Sequence, residues 1–183
     1  MCGTTEEKTI KSQAMENARF IGILMLTQMI LGIMLNFWFL KPILLFDANA
    51  APANLNLLIG FSTLLALLLS SFNIIFGLLL RKIVSPSLNN NVILIIIFAI
   101  CGFILCAVEY INMTQYVSYA SSLSQQSNEM VATTLELIRT TLASGRNEAH
   151  FLSILMSSMS ILLFYVVLFR TNLIAKPLSA FAI

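Results

Sequence analysis

Phe151-Leu-Ser-Ile-Leu-Met-Ser-Ser-Met-Ser-Ile-Leu-Leu-Phe-Tyr-Val-Val-Leu-Phe169 decides the fold class. The run carries no charge and, at about 1.5 Å rise per residue, is long enough to cross a hydrocarbon layer roughly 30 Å thick. It also has a side. Ser153, Ser157, Ser160 and Phe164 recur at i, i+4, i+7 and i+11, one face of an α-helix, and His150 extends that face upward. A spanning helix with one small, polar stripe expects helical neighbours.

The rest of the chain supplies them. Of 183 residues, 58% are hydrophobic and 10% charged, with a mean hydropathy of +0.91. The apolar residues gather in four blocks separated by polar ones, so the driving force is transfer into lipid rather than collapse around a water-soluble core. Glycine and proline are too scarce for a disordered or repeat protein. A net charge of +2, with no basic cluster beyond two adjacent residues, is too small to imply a nucleic-acid partner, and none is expected. Cys101 and Cys106 lie in one apolar run where a helix keeps them apart, and Cys2 is far away in sequence. This is no disulfide framework, and no Cys/His spacing suits a metal. Cys101 and Cys106 read as small packing residues.

Four spans follow, at about 20–40, 55–80, 92–113 and 151–169, in a single membrane domain covering 1–183. Trp38 and Phe39 close the first at headgroup level. Ala48-Asn49-Ala50 resembles a signal cleavage site, but the apolar stretch before it is far longer than a signal h-region of about 7–15 residues. Lys41–Asn54 reads as a loop punctuated by Pro42 and Pro52, and Ser85-Pro-Ser-Leu-Asn-Asn-Asn91 as a tight connection. Between spans three and four, Val131, Leu135, Ile138 and Leu142 share one face, with Glu129, Thr133, Glu136 and Thr140 opposite. Asn128 is a candidate cap and Gly145 a candidate stop, which predicts an extracytoplasmic amphipathic helix over 128–144 folded across the end of the bundle.

Orientation comes from the cations. Lys8, Lys11, Arg19, Arg81, Lys82, Arg170 and Lys176 share one side, against Lys41, Arg139 and Arg146 on the other, which predicts both termini in the cytoplasm. The expected fold is therefore all-α, an integral membrane four-helix bundle with that additional helix.

Inside the spans the polar residues form stripes. These are Gln28, Gly32 and Asn36 in the first, Ala66, Ser70, Asn73 and Gly77 in the second, and Gly102, Cys106 and Glu109 in the third. Small residues let helix backbones approach and amides bond across the contact, so Gln28, Asn73, Ser153, Ser157 and Ser160 read as bundle-interior packing. Glu109 differs, because an ionised carboxylate at depth is costly and generally has a partner or a task. It lies about one turn short of the outer boundary, where His150 enters. Glu109 and His150 are thus the candidate ionisable site, expected to meet beneath the amphipathic helix as a proton-sensitive latch. There is no phosphate loop, nucleophile elbow or metal spacing, and no catalytic residue or cofactor is assigned.

Leu162-Leu-Phe-Tyr-Val-Val-Leu-Phe-Arg-Thr-Asn-Leu-Ile-Ala-Lys-Pro-Leu-Ser179 resembles a motif of a bacterial family of multi-pass membrane proteins of unknown function. In that family an apolar helix ends roughly as Tyr-Arg-Ser-Lys-Leu-Ile-Pro-Arg-Trp-Leu-Ser. Arg170, Leu173, Ile174, Leu178 and Ser179 match, Lys176 keeps a charge, and Ala175 and Pro177 depart from the pattern. Asn17-Ala-Arg-Phe-Ile-Gly22 also looks like the family's opening. Family members continue into further helices after the Leu-Ser. The resemblance implies a bacterial inner membrane and carries over no activity. The expected function is a non-enzymatic scaffold or regulatory subunit, its partners the lipid bilayer and a membrane protein or a second copy of the chain. The alternatives are a small transporter or channel lined by Gln28, Asn73 and Glu109, and a membrane-embedded enzyme or lipid-binding protein using Glu109 and His150.

Overall fold

Leu55, Ile59, Ser62, Ala66, Leu69, Asn73, Phe76 and Leu80 alternate steps of four and three residues, and all eight are buried. A 3.5-residue repeat keeps one seam facing a partner along the full length of a helix. Val92, Ile95, Ala99, Gly102, Cys106, Glu109 and Met113 repeat the pattern in the next helix and are buried too. These two seams build the centre of the molecule.

The computed structural model describes residues 3–44, 55–123 and 129–171, with the backbone alone described at 3–15, 18, 44, 121 and 123. Every described element is helical. Helix α1 (Gly3–Met34) passes through a π-helical turn (Leu35–Leu40) into α2 (Lys41–Leu44). Then come α3 (Leu55–Ile83), a 3-10 turn (Pro86–Leu88), α4 (Asn89–Leu123) and α5 (Glu129–Thr171). Four of these are long and apolar enough to cross a membrane: Arg19–Ile43, Leu55–Ile83, Pro86–Ala120 and Glu129–Thr171. The bundle is a row more than a ring. α4 packs along most of its length on α5, α3 packs on α4, and α1 leans mainly on α3.

Two apolar clusters fill it. One, near the 3-10 turn, gathers Ile21, Phe76, Leu80, Val92, Ile95, Phe164 and Val167 from four helices, with the Phe76 and Phe164 rings 5.9 Å apart. The other, toward the opposite end, holds Leu35, Ile43, Leu55, Ile59, Cys106, Tyr110, Met113 and Val117.

Three expectations are corrected. The chain does not leave its helix at Lys41. Pro42 has no N–H and its ring crowds the carbonyl four residues back, which would break an α-helix. Widening the preceding turn avoids the break: the Lys41 N–H reaches Asn36 O instead, a π pattern that holds one more residue in the turn. The helix goes on to Leu44, and Ile43 returns to the buried side. Second, Gly32 packs on nothing: a Cβ there would find no atom within 4 Å, and the exposed Asn36 donates to its own helix at Gly32 O, 2.9 Å away.

Third, residues 129–144 of the segment expected over 128–144 are not a separate helix across the bundle. They belong to the first half of α5, which runs unbroken from Glu129 to Thr171. Gly145 does not stop it, because its missing side chain makes room for α4: a Cβ there would stand 3.3 Å from Asn112 Nδ2. At 43 residues α5 is about 65 Å long, roughly twice the hydrocarbon thickness. With the outer part of α4 it forms an antiparallel stem beyond Glu109 and His150. Asn128, Pro52, Ala48–Ala50, Cys2 and the Asn172–Ser179 end of the motif lie outside the described residues.

Glycine at 102 and 77 marks the closest helix approaches. A Cβ at Gly102 would lie 2.6 Å from Ser157 Oγ and 3.3 Å from Ser157 N, and one at Gly77 2.6 Å from Ile96 Cγ1. Gly102→Val is expected to destabilise the protein by about 1–3 kcal/mol through overpacking, read as a lower thermal midpoint in detergent. Gly60→Ala, which meets open space, serves as the control and should leave that midpoint unchanged or slightly raised.

Candidate functional site

Glu109 comes from the buried seam of α4 and His150 from the middle of α5. His150 Nδ1 lies 2.9 Å from Glu109 Oε1. The two are unequally placed: the carboxylate side chain is 7% exposed and the imidazole 50%. With the carboxylate ionised, Nδ1 carries the proton and donates, leaving Nε2 open to solvent. About 20 residues of α5 separate His150 from Arg170, roughly 30 Å of helix. The pair therefore stands one hydrocarbon thickness from the opposite cationic end, at the root of the stem. Among the described residues no helix closes over it, because residues 129–144 continue along the axis of α5.

The remaining candidate residues fall into two other seams. Gln28 Nε2 donates to Asn73 Oδ1 at 3.2 Å and to Leu69 O at 3.3 Å, tying α1 to α3. Ser153 Oγ donates to Gly102 O at 3.2 Å and Ser160 Oγ to Ile95 O at 3.0 Å, tying α5 to α4. Ser157 faces Gly102 in the same seam. Glu109 and His150 are thus brought together, Gln28 and Asn73 are brought together elsewhere, and the serines stitch a helix pair.

Sequence reading passed over three groups that the fold adds above the pair. Asn112 faces Gly145, Arg139 lies 5.7 Å over the Tyr116 ring, and Arg146 lines a cleft with Tyr116 and Asn147. The signal was present, since Arg146 stands one turn before His150 and Tyr116 two turns after Glu109. Among the described residues no group of three His, Cys, Asp or Glu side chains is placed to hold a metal ion.

Chemically, one carboxylate and one imidazole make a latch between two helices. Because Glu109 is the buried partner, His150→Ala strands it and should cost about 1–3 kcal/mol in detergent unfolding experiments. Glu109→Gln retains an acceptor and leaves a half-exposed ring to water, so its loss should stay under about 1 kcal/mol. The opposite ranking would show that burial of the carboxylate is not what gives the contact its weight. Comparison with protein-family models, with curated proteins and with solved structures returns no match to this chain.

Proposed function

We propose that this chain is a non-enzymatic multi-pass membrane protein that scaffolds or regulates a membrane partner, its stem held outside the bilayer. The observation that carries the reading is how the polar groups between the helices are used. Gln28 and Asn73 bond each other, Ser153 and Ser160 bond backbone carbonyls of α4, and Glu109 bonds His150. Groups spent on helix pairing do not line a route for solute, which weighs against a transporter or channel. A pair at one lip without a third orienting group weighs against an enzyme.

Membrane insertion is supported by the outward face. Ile23, Leu26, Met29, Ile30 and Ile33 of α1, and Leu57, Phe61 and Leu64 of α3, are exposed, a continuous apolar surface that water does not tolerate. Orientation is supported by charge. Arg19, Arg81, Lys82 and Arg170 stand together at the end away from the stem. The positive-inside bias supports a cytoplasmic side for that end and for the termini that the even number of spans puts with it. Placement in a bacterial inner membrane rests on the resemblance of the Leu162–Ser179 stretch.

Topology is tested in a variant lacking Cys2, Cys101 and Cys106. A cysteine at Thr133 or Ser144 should react with an impermeant maleimide in intact cells, and one at Ser87 only after permeabilisation. The reverse pattern would overturn the orientation. The scaffold reading is tested by replacing residues 114–146 with a short Gly/Ser turn. A partner that co-purifies with the full chain in mild detergent should be lost from this variant while its spans still fold. Solute flux through proteoliposomes of the full chain would instead establish transport.

A further inference from the structure

One turn above the Glu109–His150 contact, the stem root carries a half-open cleft of about 140 Å³. Ile43, Met113 and Val117 give it an apolar side, and Tyr116, Arg146 and Asn147 a polar one. At about 30 Å³ per water molecule it has room for roughly four or five waters. That suits a phosphate group with an ester carbon, and not a whole lipid.

Among the described residues no carboxylate pairs with the Arg146 of this cleft. The described carboxylates nearby bond elsewhere: Glu136 with Arg139 at 2.6 Å, Glu109 with His150 at 2.9 Å, and Glu148 with the Ser144 hydroxyl at 3.2 Å. Among the described residues Arg146 keeps only a long contact from Nη1 to the neutral Asn147 Oδ1, at 3.4 Å. Its Nε is one of two buried side-chain nitrogens there with no hydrogen-bond partner, the other being that of Arg139. A buried donor left unpaired costs free energy, which an anion supplied from outside would recover.

The level of the cleft says where such an anion comes from. Ile43 is about 24 residues along its helix from Arg19, and Arg146 about 24 from Arg170, roughly 36 Å on each count. Both exceed the hydrocarbon thickness by a few ångströms, which is headgroup depth. We propose that this cleft binds the phosphate of an anionic phospholipid headgroup, with Arg146 as its cation and Tyr116 and Asn147 as flanking polar groups. The site goes beyond the scaffold reading and requires only that the chain spans a membrane. A guanidinium offers a planar fork of donors to phosphate oxygens. The apolar wall of Ile43, Met113 and Val117 favours a lipid over a freely dissolved ion.

The test is native mass spectrometry of the delipidated full chain, titrated in detergent with phosphatidylglycerol or phosphatidylcholine. The full chain should retain one phosphatidylglycerol in preference to phosphatidylcholine. Arg146→Gln should weaken that retention by about tenfold, the weight of one charge-assisted hydrogen bond. Arg146→Lys should keep part of it, and Arg139→Gln should keep it all. Asn147→Asp places a competing carboxylate beside Arg146 without removing the cation. It should also expel the lipid, so the proposal stays testable if Arg146→Gln folds poorly. Displacement of phosphatidylglycerol by inorganic phosphate would support the shared chemistry. Inorganic phosphate bound with no phosphatidylglycerol retained would overturn the lipid source. Equal retention by the full chain, Arg146→Gln and Asn147→Asp would overturn the site.

Discussion

The close approach of α4 and α5 governs the rest of the molecule. Helices in lipid gain little from the hydrophobic effect between them, so their association depends on van der Waals contact and on polar groups that find no better partner. Gly102 opposite Ser157, with Ser153 and Ser160 donating to carbonyls of α4, supplies both. Once that distance is set, the 3.5-residue repeat carries the two helices side by side past the point where the apolar residues end. Glu109 and His150 meet because the seam delivers them to the same level. Tyr116 and Arg139 meet further out for the same reason.

The polar residues of the spans are therefore structural before they are anything else. An amide or hydroxyl in a low-dielectric layer is costly when unpaired, and each of these pairings removes that cost while fixing one helix against another. α1 illustrates the converse. Its glycines at 22 and 32 meet nothing, and among the described residues Gln28 is its only polar tie to α3. It is the helix with the most surface left for lipid or a partner.

Much of this was legible in the chain. The serine stripe of Phe151–Phe169, the Gly102–Glu109 stripe and the position of Glu109 relative to His150 all follow from helical spacing, and the fold uses them as spacing predicts. Two of the misreadings share a form, a local signal taken without the surrounding structure that overrides it. Gly145 has the chemistry of a helix stop, yet Asn112 of another helix occupies the space it leaves. A phase count reveals the continuity: Leu135, Leu142 and Ala149 are seven apart, and so are Ser153, Ser160 and Val167. The outer apolar stripe and the inner serine stripe lie on one long face. Pro42 likewise has the chemistry of a break, and only the π turn before it reveals how the chain continues. The Arg146 cleft was not legible, because it needs Ile43 and Met113 brought beside it by two other helices.

His150 stands at the midpoint of α5, with Glu129 and Thr171 equidistant on either side. The helix has no interior proline, and its one interior glycine is braced by α4. His150 divides it into two equal arms, each about 32 Å long. At the midpoint the Glu109 carboxylate and the imidazole tie the helix to its neighbour. One unjointed rod therefore links the stem to the Arg170 end of the bundle.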